Sequence, residues 1–175
     1  LLVSSCSEKL KSGTALIADE KENVIPPLPG SPDQWLGPLG SNRNGQSGHA
    51  LEKDWLDDEP ELLWRRELGK GAAGVAVAND HVVAVGNRAG SDTVYCLSAD
   101  DGSEKWVLSY KCPEGKRMFE GGPAATPTID PVNRRVYVLS HQGELRCIDM
   151  TNGNELWMRD YAKDLQGRLP QYGFA

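Results

Sequence analysis

From residue 75 onward, apolar and polar positions alternate in short runs separated by turn-forming residues. Residues 75–78, 81–86, 93–98 and 104–110 are rich in Val, Tyr and Trp, with Asn79-Asp80, residues 87–91 and Asp100-Asp101-Gly102 between them. Short runs with a period of two, bounded by Asn, Asp and Gly, predict strands joined by hairpin turns. The spacing predicts one meander of four antiparallel strands. Residues 125–129, 135–140, 144–149 and 155–160 predict a second, joined by residues 130–134, by His141-Gln142-Gly143 and by Thr151-Asn152-Gly153.

The two meanders are copies of one unit. Residues 94–106 lie over residues 145–157 without a gap at an offset of 51; Cys, Gly, Glu and Trp coincide and the apolar positions stay in phase. Upstream, Glu61-Leu62-Leu63-Trp64 matches the end of the same unit, so Trp64, Trp106 and Trp157 stand 42 and 51 residues apart. That period brackets a propeller blade of roughly 40 to 50 residues. A lone four-stranded sheet exposes both faces, and rings of roughly 4 to 8 blades bury them. The expected fold is therefore an all-β propeller of four-stranded antiparallel blades, with about two blades present. Residues 62–68 repeat the outer, tryptophan-bearing strand without the rest of its blade and are expected to close the ring.

The pattern aliphatic-Tyr-x-aliphatic-Asp-x-x-x-Gly-x-x-x-Trp stands here as Val94-Tyr95-Cys96-Leu97-Ser98 through Gly102 to Trp106. It stands again as Leu145-Arg146-Cys147-Ile148-Asp149 through Gly153 to Trp157. It resembles the tryptophan-docking repeat of propellers related to pyrroloquinoline quinone (PQQ) enzymes. Gln34-Trp35-Leu36-Gly37-Pro38, Asn42-Arg43-Asn44-Gly45, Asp54-Trp55 and Tyr172-Gly173 extend the resemblance to PQQ-binding-like propeller proteins over residues 34–175. The resemblance implies that the tryptophan of one blade stacks over the glycine turn of the next. Trp64, Gly102, Trp106, Gly153 and Trp157 are thereby structural docking residues. Ser98 replaces the usual Asp in the first repeat and Arg146 the usual Tyr in the second.

Composition narrows the partners. With 39% apolar and 25% charged residues among 175, the chain sits near globular averages. Nineteen Lys plus Arg against 25 Asp plus Glu leave a net charge of −6. The attraction to a phosphate backbone is missing, so nucleic acid is not an expected partner.

The N-terminal segment suggests an address. Val3-Ser4-Ser5-Cys6 resembles the bacterial lipobox, which implies lipidation of Cys6; the other reading is a plain thiol at the terminus. Residues 7–32 lack apolar periodicity and include Ile25-Pro26-Pro27-Leu28-Pro29-Gly30, an extended solvated spacer. Acyl chains contribute about 0.8 kcal/mol per buried methylene, so one modified cysteine can hold the protein at a membrane. The expected organisation is an export-signal remnant at residues 1–5, a tether at 6–33, a pre-propeller segment at 34–61 and a partial propeller at 62–175. Within the propeller, blades occupy 75–110 and 125–160, and 167–175 approach a further blade. The chain, beginning with Leu1 and holding too few blades for a ring, reads as an N-terminal fragment of an exported periplasmic or outer-membrane lipoprotein. Its uncovered strand edge and blade face are expected to make it associate or aggregate when isolated.

Candidate chemistry is sparse. Cys96 and Cys147 occupy equivalent strand positions where a small buried side chain is expected, and blade rotation sets such positions too far apart to bridge. Cys112 lies in the long connection, where a disulfide to another part of the full protein suits an oxidising compartment. The resemblance implies adjacent cysteines beside the cofactor in the catalytic PQQ dehydrogenases, and no two cysteines are adjacent here. His49, His81 and His141 form no ligand pair at i, i+2 or i+4, so spacing supports no zinc site. His81 and His141 are expected to be solvated turn residues. Asp57-Asp58-Glu59 and Asp100-Asp101 lack the ligand alternation of a calcium loop, and the glycines at 71, 74, 121 and 122 flank strands rather than open a helix.

With no catalytic residue, cofactor or metal assigned, the expected function is a non-catalytic, lipid-anchored envelope propeller. It would present its faces to envelope proteins or a small ligand, as the resemblance to outer-membrane assembly lipoproteins of this fold implies. The alternative is a periplasmic dehydrogenase that oxidises an alcohol or sugar with PQQ and calcium on the propeller axis, its cofactor residues lying in further blades.

Overall fold

A computed structural model describes residues 34–46, 61–115 and 120–175. Eight strands form two four-stranded antiparallel sheets, each a consecutive meander. The first blade contains β1 (Ala76–Ala78), β2 (His81–Arg88), β3 (Ser91–Ser98) and β4 (Glu104–Lys111). The second contains β5 (Thr128–Asp130), β6 (Arg135–Leu139), β7 (Glu144–Asp149) and β8 (Glu155–Asp160). One helical turn, α1 (Tyr161–Asp164), follows β8, with Asp160 capping its N-terminus. The fold is all-β, two blades of a partial propeller.

Local chemistry explains where the strands turn. Asn79 and Asp80 both adopt positive φ, as do Ala89 and Gly90, so two-residue turns whose twist matches the flanking strands close both hairpins of β2. The second turn is shorter than the loop expected at 87–91, because Asn87 pairs with Asp92 and Arg88 with Ser91. β5 begins later than the expected residue 125. Pro127 has no N–H to give a ladder, and pairing starts at Thr128.

The blades pack face to face through apolar side chains. Ala76, Val83, Val85, Val94, Cys96 and Trp106 from the first blade form one buried cluster with Ile129, Val136, Val138, Ile148 and Met150 from the second. Residues 34–46 cross the short strands β1 and β5. Trp35 exchanges two backbone hydrogen bonds with Val77, at 2.8 and 2.7 Å, and Ile129 donates to the carbonyl of Leu36 at 2.8 Å.

Two segments outside the blades run along them. Residues 62–68 pass beside the first blade, held through Trp64 and an Arg66–Glu104 ion pair at 2.7 Å, before Lys70 forms an isolated bridge with Asn87. A strand there needs an outer-edge neighbour, and no described residue supplies one. Residues 167–175 run back toward the β6–β7 turn, where the Phe174 N–H donates to the His141 carbonyl at 3.0 Å.

Candidate functional site

Each of two repeat tryptophans covers a glycine turn. Trp64 lies against Gly102 and donates its indole N–H to the Ala99 carbonyl at 2.8 Å. Trp106 lies against Gly153 and donates to the Met150 carbonyl at 2.7 Å. Gly102 and Gly153 have φ of 68° and 75°, and a Cβ on either would stand 2.6 or 2.8 Å from the indole ring. Left-handed backbone and ring contact both require glycine. Trp157 behaves differently: it is 41% exposed and leans on Tyr137, ring centroids 6.1 Å apart. No described residue offers it a turn glycine.

The covered turns are built alike. Ser103 N–H bonds Asp101 Oδ1, and Asn154 N–H bonds Asn152 Oδ1, both at 2.9 Å. Asp149 Oδ1 accepts from Thr151 N–H at 2.8 Å, and Ser98 Oγ accepts from Asp100 N–H at 3.3 Å in the equivalent place. Ser98 thus keeps the acceptor of the aspartate it replaces, though not the charge. Arg146, the other departure, places its guanidinium 4.0 Å above the Tyr110 ring and pairs with Glu144 at 2.6 Å and with Glu155.

A polar cluster occupies the interface between the blades at the start of β3. Asp92 is the second residue of that strand, Cys112 follows β4 and His141 occupies the β6–β7 turn; they are 0%, 1% and 5% exposed. One potential ligand atom from each lies within 4.8 Å of the other two, and Cys112 Sγ stands 3.5 Å from His141 Nδ1. Asn87, itself buried, donates through Nδ2 to Asp92 Oδ1 at 2.7 Å and to the Cys112 carbonyl at 2.8 Å. Asp92 Oδ2, Tyr110 Oη and Arg146 Nε are buried without a hydrogen-bond partner among the described residues. Asp92 and Tyr110 face each other across β3 and β4, and Tyr110 touches Arg146 of the second blade. Burial pushes the Cys112 thiol up to about 12, and the nearby Asp92 charge acts in the same direction.

His141 is therefore no solvated turn residue. Its turn is closed over by the opposing blade and by residues 167–175, so the ring is buried although the backbone forms a hairpin. His81 is partly exposed, with Nδ1 2.6 Å from the Asn79 carbonyl. Cys96, Cys112 and Cys147 are buried free thiols; burial raises Cys96 to about 12 and lifts Cys147 as well. Asp100 and Asp101 occupy the exposed β3–β4 turn. Cys6, His49, Asp57, Asp58 and Glu59 lie outside the described residues.

Spacing concealed the cluster because its members come from three elements in two blades. The one available signal was that Cys112, unlike Cys96 and Cys147, has no counterpart in the repeat. Two clefts also lie among the described residues. A cleft of about 390 Å³ lies between residues 36–43 and β5, and one of about 280 Å³ lies among Asn79, His81, Arg134 and Met150.

Comparison with known proteins follows the repeats. The profile of a protein family described as outer membrane protein assembly factor BamB matches residues 56–116 and again 110–173. No curated protein matches the chain. Among solved structures, BamB from Moraxella catarrhalis is similar at 21% identity and a TM-score of 0.37, over 49% of this chain and 23% of that one. A europium-containing methanol dehydrogenase is similar at 16% identity and a TM-score of 0.40, over 54% of this chain and 16% of that one. The chain spans less than a quarter of the length of either structure.

Proposed function

The chain belongs to the propeller-repeat family described as outer membrane protein assembly factor BamB, and from that membership we propose a non-catalytic scaffold of the bacterial cell envelope. In this role the protein presents its blades to other envelope proteins or to a small ligand. The carrying observation is the pair of consecutive family matches, which together cover both stacked blades.

Attachment through a lipidated Cys6 suits this role, with residues 7–33 as the tether. The lipid anchor is tested by palmitate labelling and membrane fractionation in a bacterial host. The native full-length protein should label and sediment with membranes, and Cys6→Ala should release it; soluble export of both forms would refute the anchor.

The scaffold role is tested with the full-length protein and its gene. Deletion should lower the level of assembled outer-membrane proteins, and in-cell crosslinking should join the propeller to components of that assembly process. Added PQQ and calcium should neither bind nor support dye-linked alcohol oxidation. PQQ-dependent oxidation by the purified full-length protein would overturn the scaffold in favour of a dehydrogenase.

A further inference from the structure

We propose that Asp92, Cys112 and His141 form a zinc site that clips the first blade to the second. The donors are a carboxylate, a thiol and an imidazole, the set from which protein zinc sites are made. Hard cations such as calcium and magnesium take oxygen ligands and would leave the sulfur and nitrogen unused.

The geometry suits a tetrahedral ion. With metal–ligand bonds of roughly 2.0 to 2.3 Å at tetrahedral angles, neighbouring ligand atoms stand about 3.3 to 3.8 Å apart. The Cys112 Sγ to His141 Nδ1 distance of 3.5 Å lies within that range. All three donor atoms lie within 4.8 Å of one another, and side-chain rotation of Asp92 brings its oxygen the rest of the way. Three protein ligands leave one position for a water molecule.

Asp92 provides the independent argument for a ligand. It is fully buried, yet among the described residues only Asn87 donates to its Oδ1 and nothing donates to Oδ2. A buried carboxylate oxygen left without a hydrogen bond is costly. Arg146 is the nearby cation, but its two terminal nitrogens are committed to Glu144 and Glu155. A divalent ion completes Asp92. As the Zn–S bond forms, the Cys112 thiol proton leaves to solvent, and the ion's two charges balance the thiolate and the carboxylate. Asn87 then acts as a positioning residue: it holds the Asp92 carboxylate and the Cys112 backbone with one amide.

The experiment uses the full-length protein, stripped of metal with a chelator and titrated with Co²⁺ and with Zn²⁺. One equivalent of Co²⁺ should give tetrahedral visible bands together with a thiolate charge-transfer band, and one equivalent of Zn²⁺ should displace it. Cys112→Ser should abolish the charge-transfer band. His141→Gln and Asp92→Asn should each weaken binding by at least about tenfold, the lower bound typical even for residues behind the ligands. Cys147→Ser, which removes a buried thiol elsewhere, should leave the spectrum unchanged. If a ligand variant fails to fold, the parent protein still decides: no stoichiometric cobalt spectrum, or one that persists after selective alkylation of Cys112, overturns the site.

Discussion

Trp106 and Gly153 meet across the blade interface with no room for one additional carbon. A Cβ on Gly153 would stand 2.8 Å from the indole, and the glycine's φ of 75° is unfavourable for any other residue. Repeat spacing is thereby converted into a physical lock, with the indole N–H closing it on Met150. Trp64 and Gly102 repeat the relationship one unit earlier.

Gly153→Ala should therefore destabilise the full-length protein by about 1 to 3 kcal/mol through overpacking and backbone strain. Trp106→Ala, which empties a site only 7% exposed, should cost about 3 to 5 kcal/mol. Urea denaturation checks both. A midpoint unchanged by Trp106→Ala would remove the lock from the stability of the fold.

Arg146 yields a different kind of prediction, because charge and packing act together. Arg146→Ala strips the partner from Glu144 and Glu155, whose side chains remain 23% and 33% exposed, and removes the cover from Tyr110. Partial solvation limits the penalty to about 1 to 3 kcal/mol, below that of a fully buried pair. Arg146→Met restores much of the packing without the charge and should lose less. A loss in Met equal to that in Ala would assign the effect to the ion pairs alone.

The blades were legible because their information is local and periodic. Alternation marks the strands, Asn, Asp and Gly mark the turns, and the offset of 51 aligns Gly102 with Gly153 and Trp106 with Trp157. Burial depends on what lies opposite, which periodicity does not encode. His141 occupies a turn yet is buried, with its Nδ1 3.5 Å from Cys112 Sγ of the other blade. The Asp92, Cys112 and His141 cluster illustrates the same limit: its members meet only once two sheets are stacked.

Asn87→Ala separates the polar frame of the interface from its apolar core. The change leaves Asp92 Oδ1 and the Cys112 carbonyl without their shared donor in a buried environment. Each unsatisfied group costs about 1 to 3 kcal/mol, so the variant should lose about 2 to 6 kcal/mol despite the small volume removed. Amide exchange should quicken first at Gly90 and Cys112, the positions beside the lost contacts. Uniform acceleration through β6 and β7 would show instead that Asn87 governs the whole interface.

Acid should act on the turns of this protein before it acts on the blade core. The Asp149 carboxylate lies below its ordinary range because the Thr151 backbone N–H bonds the charged form, and Asp101 is lowered chiefly by the Ser103 side chain. Asp80 is lowered by Lys105 and Asp160 by Lys163. A carboxylate depressed in the folded state stabilises fully above its unfolded pKa and loses that contribution as pH falls through the folded value. Stability attributable to these groups should therefore hold above about pH 5 and decline below about pH 4. Each lysine pair keeps one partner well exposed, Asp80 in one and Lys163 in the other, so salt should shrink their share, whereas the backbone-bonded Asp149 turn should be less sensitive. Urea midpoints of the full-length protein from about pH 7 to about pH 3, at low and high salt, measure this. Asp149→Asn retains an acceptor oxygen without a titrating charge and should give a shallower acid decline. The same decline in wild type and Asp149→Asn would exclude this turn as a source of acid sensitivity.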